Sequence, residues 1–186
     1  KEISIVGCGR TDTGVHAKEY FFHWDHESTI DKDEIRYKLN KMLPKSISIH
    51  EIHEVPNDIH ARFSARERTY IYLINSSKNP FTATQSWYVN HKLDVPKMNE
   101  AASLLIGEKD FSSFAKIHTD VNNHICQLNY AKWTKEGTTI KFEIRANRFL
   151  RNMVRAIVGT CVDVGLKKVS IDEFQEIINA KNRQSA

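Results

Sequence analysis

Cysteine, proline, glycine and long apolar runs are all scarce in this chain of 186 residues, and each scarcity removes a class of protein. The 3 cysteines, Cys8, Cys126 and Cys161, are an odd number at spacings that make neither a disulfide framework nor a paired-cysteine metal site. Reduced, structural thiols are therefore expected. The 4 prolines and 7 glycines build no Pro/Gly/Ser tract, and no short-period repeat runs along the chain. No apolar run approaches the ~20 residues that span a bilayer, and no charged-then-apolar leader opens the sequence. The expectation is a cytoplasmic protein with no membrane contact. What remains, 40% apolar and 27% charged residues, is the composition of an ordinary folded domain.

A net charge of +4 permits nucleic-acid binding without requiring it. Its distribution says more. Arg62, Arg66 and Arg68 cluster in one stretch, Arg145, Arg148, Arg151 and Arg155 in another, and Tyr70 and Phe149 lie beside them. Basic groups interleaved with aromatics suit a surface that meets phosphates and stacks on unpaired bases, although solvated protein faces carry such runs about as often.

Periodicity gives an α+β chain. "KEISIV" alternates and "KEYFFHWDH" is aromatic-rich, so two strands are expected to flank a glycine loop. "DKDEIRYKLNKMLP" predicts a helix capped by Asp31, stopped by Pro44 and striped by Ile35, Leu39 and Met42. "SISIHEIHEV" and "RTYIYLINS" alternate like half-buried strands, the latter with Tyr70, Tyr72 and Ile74 on one face. The polar stretch "NSSKNPFTATQS" then marks a junction, giving an N-terminal half over 1–86 and a C-terminal half over 87–186. In the second half a helix carries Met98, Ala102 and Leu105, ending at Gly107. A hairpin turning at Lys135, Glu136 and Gly137 points Ile140, Phe142, Ile144 and Ala146 inward. "NRFLRNMVRAIVGTCVDVG" reads as one long helix with Phe149, Met153 and Ile157 buried and with Arg151 and Arg155 one turn apart. A last helix opens on the capping box Ser170 to Glu173, with Phe174 and Ile177 inward. Hairpins and polar loops between the strands disfavour a doubly wound parallel sheet and favour mainly antiparallel pairing with helices on one face.

The chemistry concentrates in "GCGRTDTGVHA", residues 7–17. A dinucleotide fingerprint would need a third glycine where Asp12 stands. A phosphate-binding P-loop would need Lys and Ser/Thr where Val15 and His16 stand. Histidine pairs such as His23/His26 and His50/His53 lack metal-ligand spacing, so no metal is expected. A turn or cap is the bland role for an Asp between glycines. Against it, Gly7, Gly9 and Gly14 allow close backbone approach, and Arg10 sets a cation beside the carboxylate. A guanidinium nearby favours the ionised form that nucleophilic attack or proton abstraction needs.

"GRTDTGVHA" closely resembles the catalytic motif of the tRNA pseudouridine synthase A family, and "HARFSARERTYIY", "GEKDFSSFAK" and "FLRNMVRAIVG" follow in that family's order. The resemblance covers almost the whole chain. It implies a fold of two ferredoxin-like halves and isomerisation of uridine to pseudouridine in the anticodon stem-loop of tRNA. The enzyme would need no cofactor or metal and would act as a homodimer. It implies Asp12 as the essential aspartate, Tyr70 as the active-site tyrosine, Arg155 as the arginine that pairs with Asp12, and Arg10 as a residue that positions RNA. Arg62, Arg66 and Arg151 would add RNA contacts. The family's segment before the motif and its small-residue, proline and "GL" ending are absent, so a truncated enzyme that is weakly active or inactive is expected, with Ile3, Ile5 and Phe21 uncovered. "DVNNHICQLN" departs from the family's threonine- and arginine-containing form. The rival reading is a non-catalytic RNA-binding module in which Asp12 only shapes a turn. An aspartate-dependent hydrolase would need a partner acid or metal constellation that the sequence lacks.

Overall fold

A computed structural model describes residues 3–116 and 121–185. Lys1, Glu2 and Asp120, which open the "KEISIV" and "DVNNHICQLN" stretches, lie outside the described residues. The chain divides into two compact units, Lys1–Thr11 with Ala17–Ala65, and Asp12–His16 with Arg66–Ala186.

The first unit is built on little regular structure. Strands β1 (Val6–Gly7) and β2 (Phe22–His23) pair antiparallel over two residues each, well short of the strands expected from the alternation. The pairing ends where the Tyr20 ring occupies the space a side chain at Gly7 would need and its hydroxyl donates to the Gly9 carbonyl. Helix α1 (Lys32–Met42) starts where Asp31 accepts from the Glu34 N–H and ends at Leu43, before Pro44. Met42, expected on the apolar stripe, is exposed, while Ile35 and Leu39 are half-buried. Residues 46–55 are not a strand, despite their alternation. At its middle this segment is tied to side chains of α1 instead: the Asn40 amide pairs with both the N–H and the carbonyl of Ile49 at 2.8 Å, and Arg36 donates to the His50 carbonyl. Backbone groups satisfied in this way are not available to a strand ladder at Ile49 and His50. No described residue of this unit is fully buried; Ile3, Ile5 and Phe21 are exposed.

The second unit holds the core. Five strands, β3 (Arg68–Asn75), β4 (Trp87–Tyr88), β5 (Gly107–Asp110), β6 (Ile125–Glu136) and β7 (Thr139–Ala146), form a sheet in the order β4-β3-β7-β6-β5. All neighbours are antiparallel except the short β3/β4 pair. β4 and β5 were not expected from the pattern, being two and four residues long. The β6–β7 hairpin turns at Gly137, whose φ of 58° is the left-handed region that glycine enters without penalty. Ile140, Phe142, Ile144 and Ala146 are buried beneath helices α2 (Val95–Ser103), α3 (Met153–Gly165) and α4 (Ile171–Ala180). Trp133 stacks on Phe142 at 4.4 Å between ring centroids. Where β5 has ended and β6 would present an open edge, the Asn99 amide of α2 bonds both the N–H and the carbonyl of Trp133 at 2.9 Å. Buried Asn75 binds Thr82, Ser86 and Thr139, fastening the polar 76–86 stretch to the sheet. The chain is thus α+β with a mainly antiparallel sheet.

The long helix begins later than its periodicity suggests. Asn152 has φ of 62°, a left-handed residue that a helix cannot contain, so α3 opens at Met153. Residues 147–152 form a connector instead. Its ends are tied by the Arg68 guanidinium to the Asn147 carbonyl at 2.9 Å and by the Lys116 N–H to the Arg151 carbonyl at 3.0 Å. Phe149 is therefore half-buried in the connector, and Arg151 is not one helical turn from Arg155. The last helix carries the expected capping box at Ser170 and Glu173 and buries Phe174 and Ile178, with Ile177 half-buried.

Candidate active site

Asp12 sits at the first position of a turn in which the Val15 N–H returns to the Asp12 carbonyl at 3.2 Å. Gly14, at φ 80°, occupies the third position, where a type II turn demands a positive φ. This glycine earns its place by conformation, since the space around it is open. The segment Asp12–His16 belongs to the sheet-bearing unit although its neighbours on both sides belong to the other. Arg155 ties it there. Arg155, in the first turn of α3, brings its Nε to 3.8 Å from the Asp12 Oδ2 while its Nη2 donates to the Thr13 carbonyl at 3.2 Å. The guanidinium thus grips both the carboxylate and the backbone that carries it. The aspartate side chain is 36% exposed, so the carboxylate is held and still open to a reactant.

Tyr70 is on β3, opposite Ile144 of β7, and half-buried. Its ring meets Phe149 edge-on, 5.0 Å between centroids at 82°. The connector that fixes Phe149 also leads into α3 and hence to Arg155. One short segment, tied at both ends, therefore touches the tyrosine ring and leads into the helix that carries the aspartate's arginine.

The remaining predicted residues fall on both units. Arg10 and Arg62 lie in the first unit, both exposed; Arg62 stands 5.5 Å from the Phe63 ring centroid. Arg66 and Arg151 are exposed on the second. Sequence reasoning missed the Thr13 carbonyl, which no side-chain pattern can announce, and Phe149 as the neighbour of Tyr70. On the sheet face away from the helices, Arg145 lies 4.9 Å from the Tyr130 ring centroid and bonds Glu143, whose carboxyl it holds below the ordinary range. Among the described residues no group of three or more His, Cys, Asp or Glu side chains is arranged to hold a metal ion. No helix among them is long and apolar enough to cross a membrane.

A tRNA pseudouridine synthase A from Bacteroides thetaiotaomicron is 46% identical over 189 residues, an alignment that takes in 100% of this chain and 70% of that protein. The chain belongs to the tRNA pseudouridine synthase A family. The Bacteroides fragilis member is 47% identical over 188 residues, covering 100% of this chain and 75% of its own length. Across a wider distance, the Borreliella burgdorferi member keeps 40% identity over 189 residues, 100% of this chain and 77% of that protein. A family profile described as tRNA pseudouridine synthase matches residues 101–186, the stretch that contains Phe149, Arg151 and Arg155. Membership in this synthase family extends across both compact units, since the alignments cover the whole chain.

Proposed function

We propose that this protein isomerises uridine to pseudouridine in the anticodon stem-loop of tRNA, with Asp12 as the catalytic nucleophile or base. Tyr70, Arg10 and Arg155 serve the bound uridine and its surroundings. The observation that carries the reading is the held carboxylate: an aspartate in a glycine turn, 3.8 Å from an arginine that also binds the turn's backbone, in a chain of this family.

The reaction is an isomerisation. The bond between N1 of the base and C1′ of the ribose breaks, a bond from C5 to C1′ forms, the C5 proton leaves and N1 regains one. Nothing is oxidised or reduced. What a protein must supply is a base extruded from the stack and held while it turns, and a group that manages the reactive sugar. An ionised Asp12 can attack the sugar carbon, add to the base, or take a sugar proton to give a glycal. Arg155 keeps the carboxylate placed for any of the three, and Tyr70, braced by Phe149, offers a ring face and a hydroxyl. Arg62, Arg66 and Arg151 are read as phosphate contacts. The enzyme works as a homodimer in this reading.

The test is to map pseudouridine in tRNA transcripts after incubation with the protein. Conversion confined to the anticodon arm is expected. Tight tRNA binding without any conversion would favour the rival reading, an RNA-binding module.

A further inference from the structure

We propose that the turn over residues 60–64 of the first unit is a stacking site for an unpaired nucleobase of the RNA; this rests on the reading that the substrate is RNA. Many apolar side chains of the first unit are exposed, but Phe63 differs from them in how it is held. The turn closes on itself: the Ser64 N–H donates to the His60 carbonyl and the His60 N–H to the Ser64 hydroxyl, both at 2.9 Å. His60 Nδ1 accepts from the backbone N–H groups of both Arg62 and Phe63, at 3.1 and 3.2 Å. An acceptor Nδ1 puts the imidazole proton on Nε2, so the ring's orientation is fixed by two donors. Phe63 then lies against that ring at 4.4 Å, tilted by 32°. Behind it, His23 meets His60 edge-on at 4.8 Å, and the Ala61 N–H holds His23 Nδ1 at 3.1 Å.

The result is a short aromatic column, His23 to His60 to Phe63, whose outermost ring is 75% exposed despite being fixed at its base. Pre-organised aromatic surface of this kind binds flat π-systems, because the ordering cost has been met before the ligand arrives. Arg62 lies over that ring, its guanidinium carbon 5.5 Å from the centroid, so a base stacking on Phe63 meets a cation that can turn aside to pair with its phosphate. A base with an adjacent phosphate fits both features. A lone neutral aromatic side chain fits only the first. Stacking also tolerates any base, so this site would contribute affinity and register rather than sequence choice.

The experiment measures binding of an unmodified tRNA transcript and of a blunt RNA duplex without unpaired bases. Phe63→Ala should weaken tRNA binding by roughly 5- to 150-fold, the range for loss of one base–aromatic stack. Duplex binding should not change, and neither should the slope of affinity against salt, because no charge has been removed. Phe63→Trp should keep the affinity and show indole quenching by tRNA but not by the duplex, read as a difference from the parent protein. That second variant decides the matter should the alanine variant fold poorly. Equal tRNA affinity for parent and Phe63→Ala, equal losses on tRNA and duplex, or no quenching in Phe63→Trp would each overturn the stacking site alone. A parent protein that binds no tRNA would overturn the RNA reading itself.

Discussion

Replacing Arg155 should separate stability from chemistry. The ion pair to Asp12 spans 3.8 Å between side chains that are 51% and 36% exposed. At that distance Coulomb's law gives about 1 kcal/mol in water and about 4 kcal/mol at an effective dielectric constant of ~20. Exposure on both sides puts the pair near the lower limit, and ordering two side chains takes part of that back; measured pairs of this kind contribute about 0.2–1 kcal/mol. The hydrogen bond to the Thr13 carbonyl adds a net ~0.5–1.5 kcal/mol, of which water recovers much at an exposed site. Arg155→Ala should therefore lower the unfolding free energy by about 1 kcal/mol, a Tm change of ~2–4 °C for a chain of this size. The same change frees the carboxylate and its turn together. A misplacement of about 1 Å at a reacting group is enough for a ~10²-fold loss of rate. The predicted signature is a kcat reduced by about two orders of magnitude, with Tm and tRNA affinity almost unchanged. Arg155→Lys, which keeps the charge but not the two-pronged grip, should fall between. Thermal melts and single-turnover pseudouridine formation on one tRNA measure both quantities. Wild-type turnover in Arg155→Ala would refute the positioning argument, and so would a loss of activity matched by a collapse of Tm.

Two further outcomes follow from the core. Gly165→Ala should destabilise by about 1–2 kcal/mol: the new methyl group would come within 2.7 Å of the Met98 sulfur, which is fully buried, and overpacking of ~1–3 kcal/mol outweighs the ~0.5–1 kcal/mol gained by removing a helical glycine. A denaturant midpoint above that of the parent would contradict this. Burial pushes the Cys126 thiol up to about 11 and the Cys161 thiol up to about 12, so neither forms thiolate near neutral pH. A thiol reagent should accordingly label Cys8 alone in the native protein, and rapid reaction at a second site would show that the sheet opens.

The sheet unit was legible because its signals are redundant. β7 alternates cleanly, its hairpin has a glycine where φ must be positive, and α4 carries a capping box. The first unit misled for a physical reason. Alternation over 46–55 predicts a strand only if a neighbouring strand is available, and here Asn40 and Arg36 answer the backbone from a helix. Asn152 is another case: asparagine enters the left-handed region more readily than most residues but nothing in "FLRNMVR" requires it there, and one such residue takes Arg151 off the helix that carries Arg155. At the candidate site, residue types and motif order pointed to Asp12, Tyr70 and Arg155. The Thr13 carbonyl and the Phe149 brace depend on three-dimensional closure, which local patterns do not encode.

The central claim is that Asp12 performs the chemistry rather than shaping a turn, and Asp12→Asn tests it most directly. The amide is nearly isosteric, leaves the backbone bond from Val15 to residue 12 intact, and cannot act as an anionic nucleophile or base. On tRNA tritiated at uridine C5, tritium release is expected to fall by at least ~10²–10⁴-fold while tRNA affinity stays at the parent's value and Tm drops by no more than the ~2–4 °C that losing the exposed ion pair to Arg155 can cost. Tritium release by Asp12→Asn at a rate close to the parent's would contradict it.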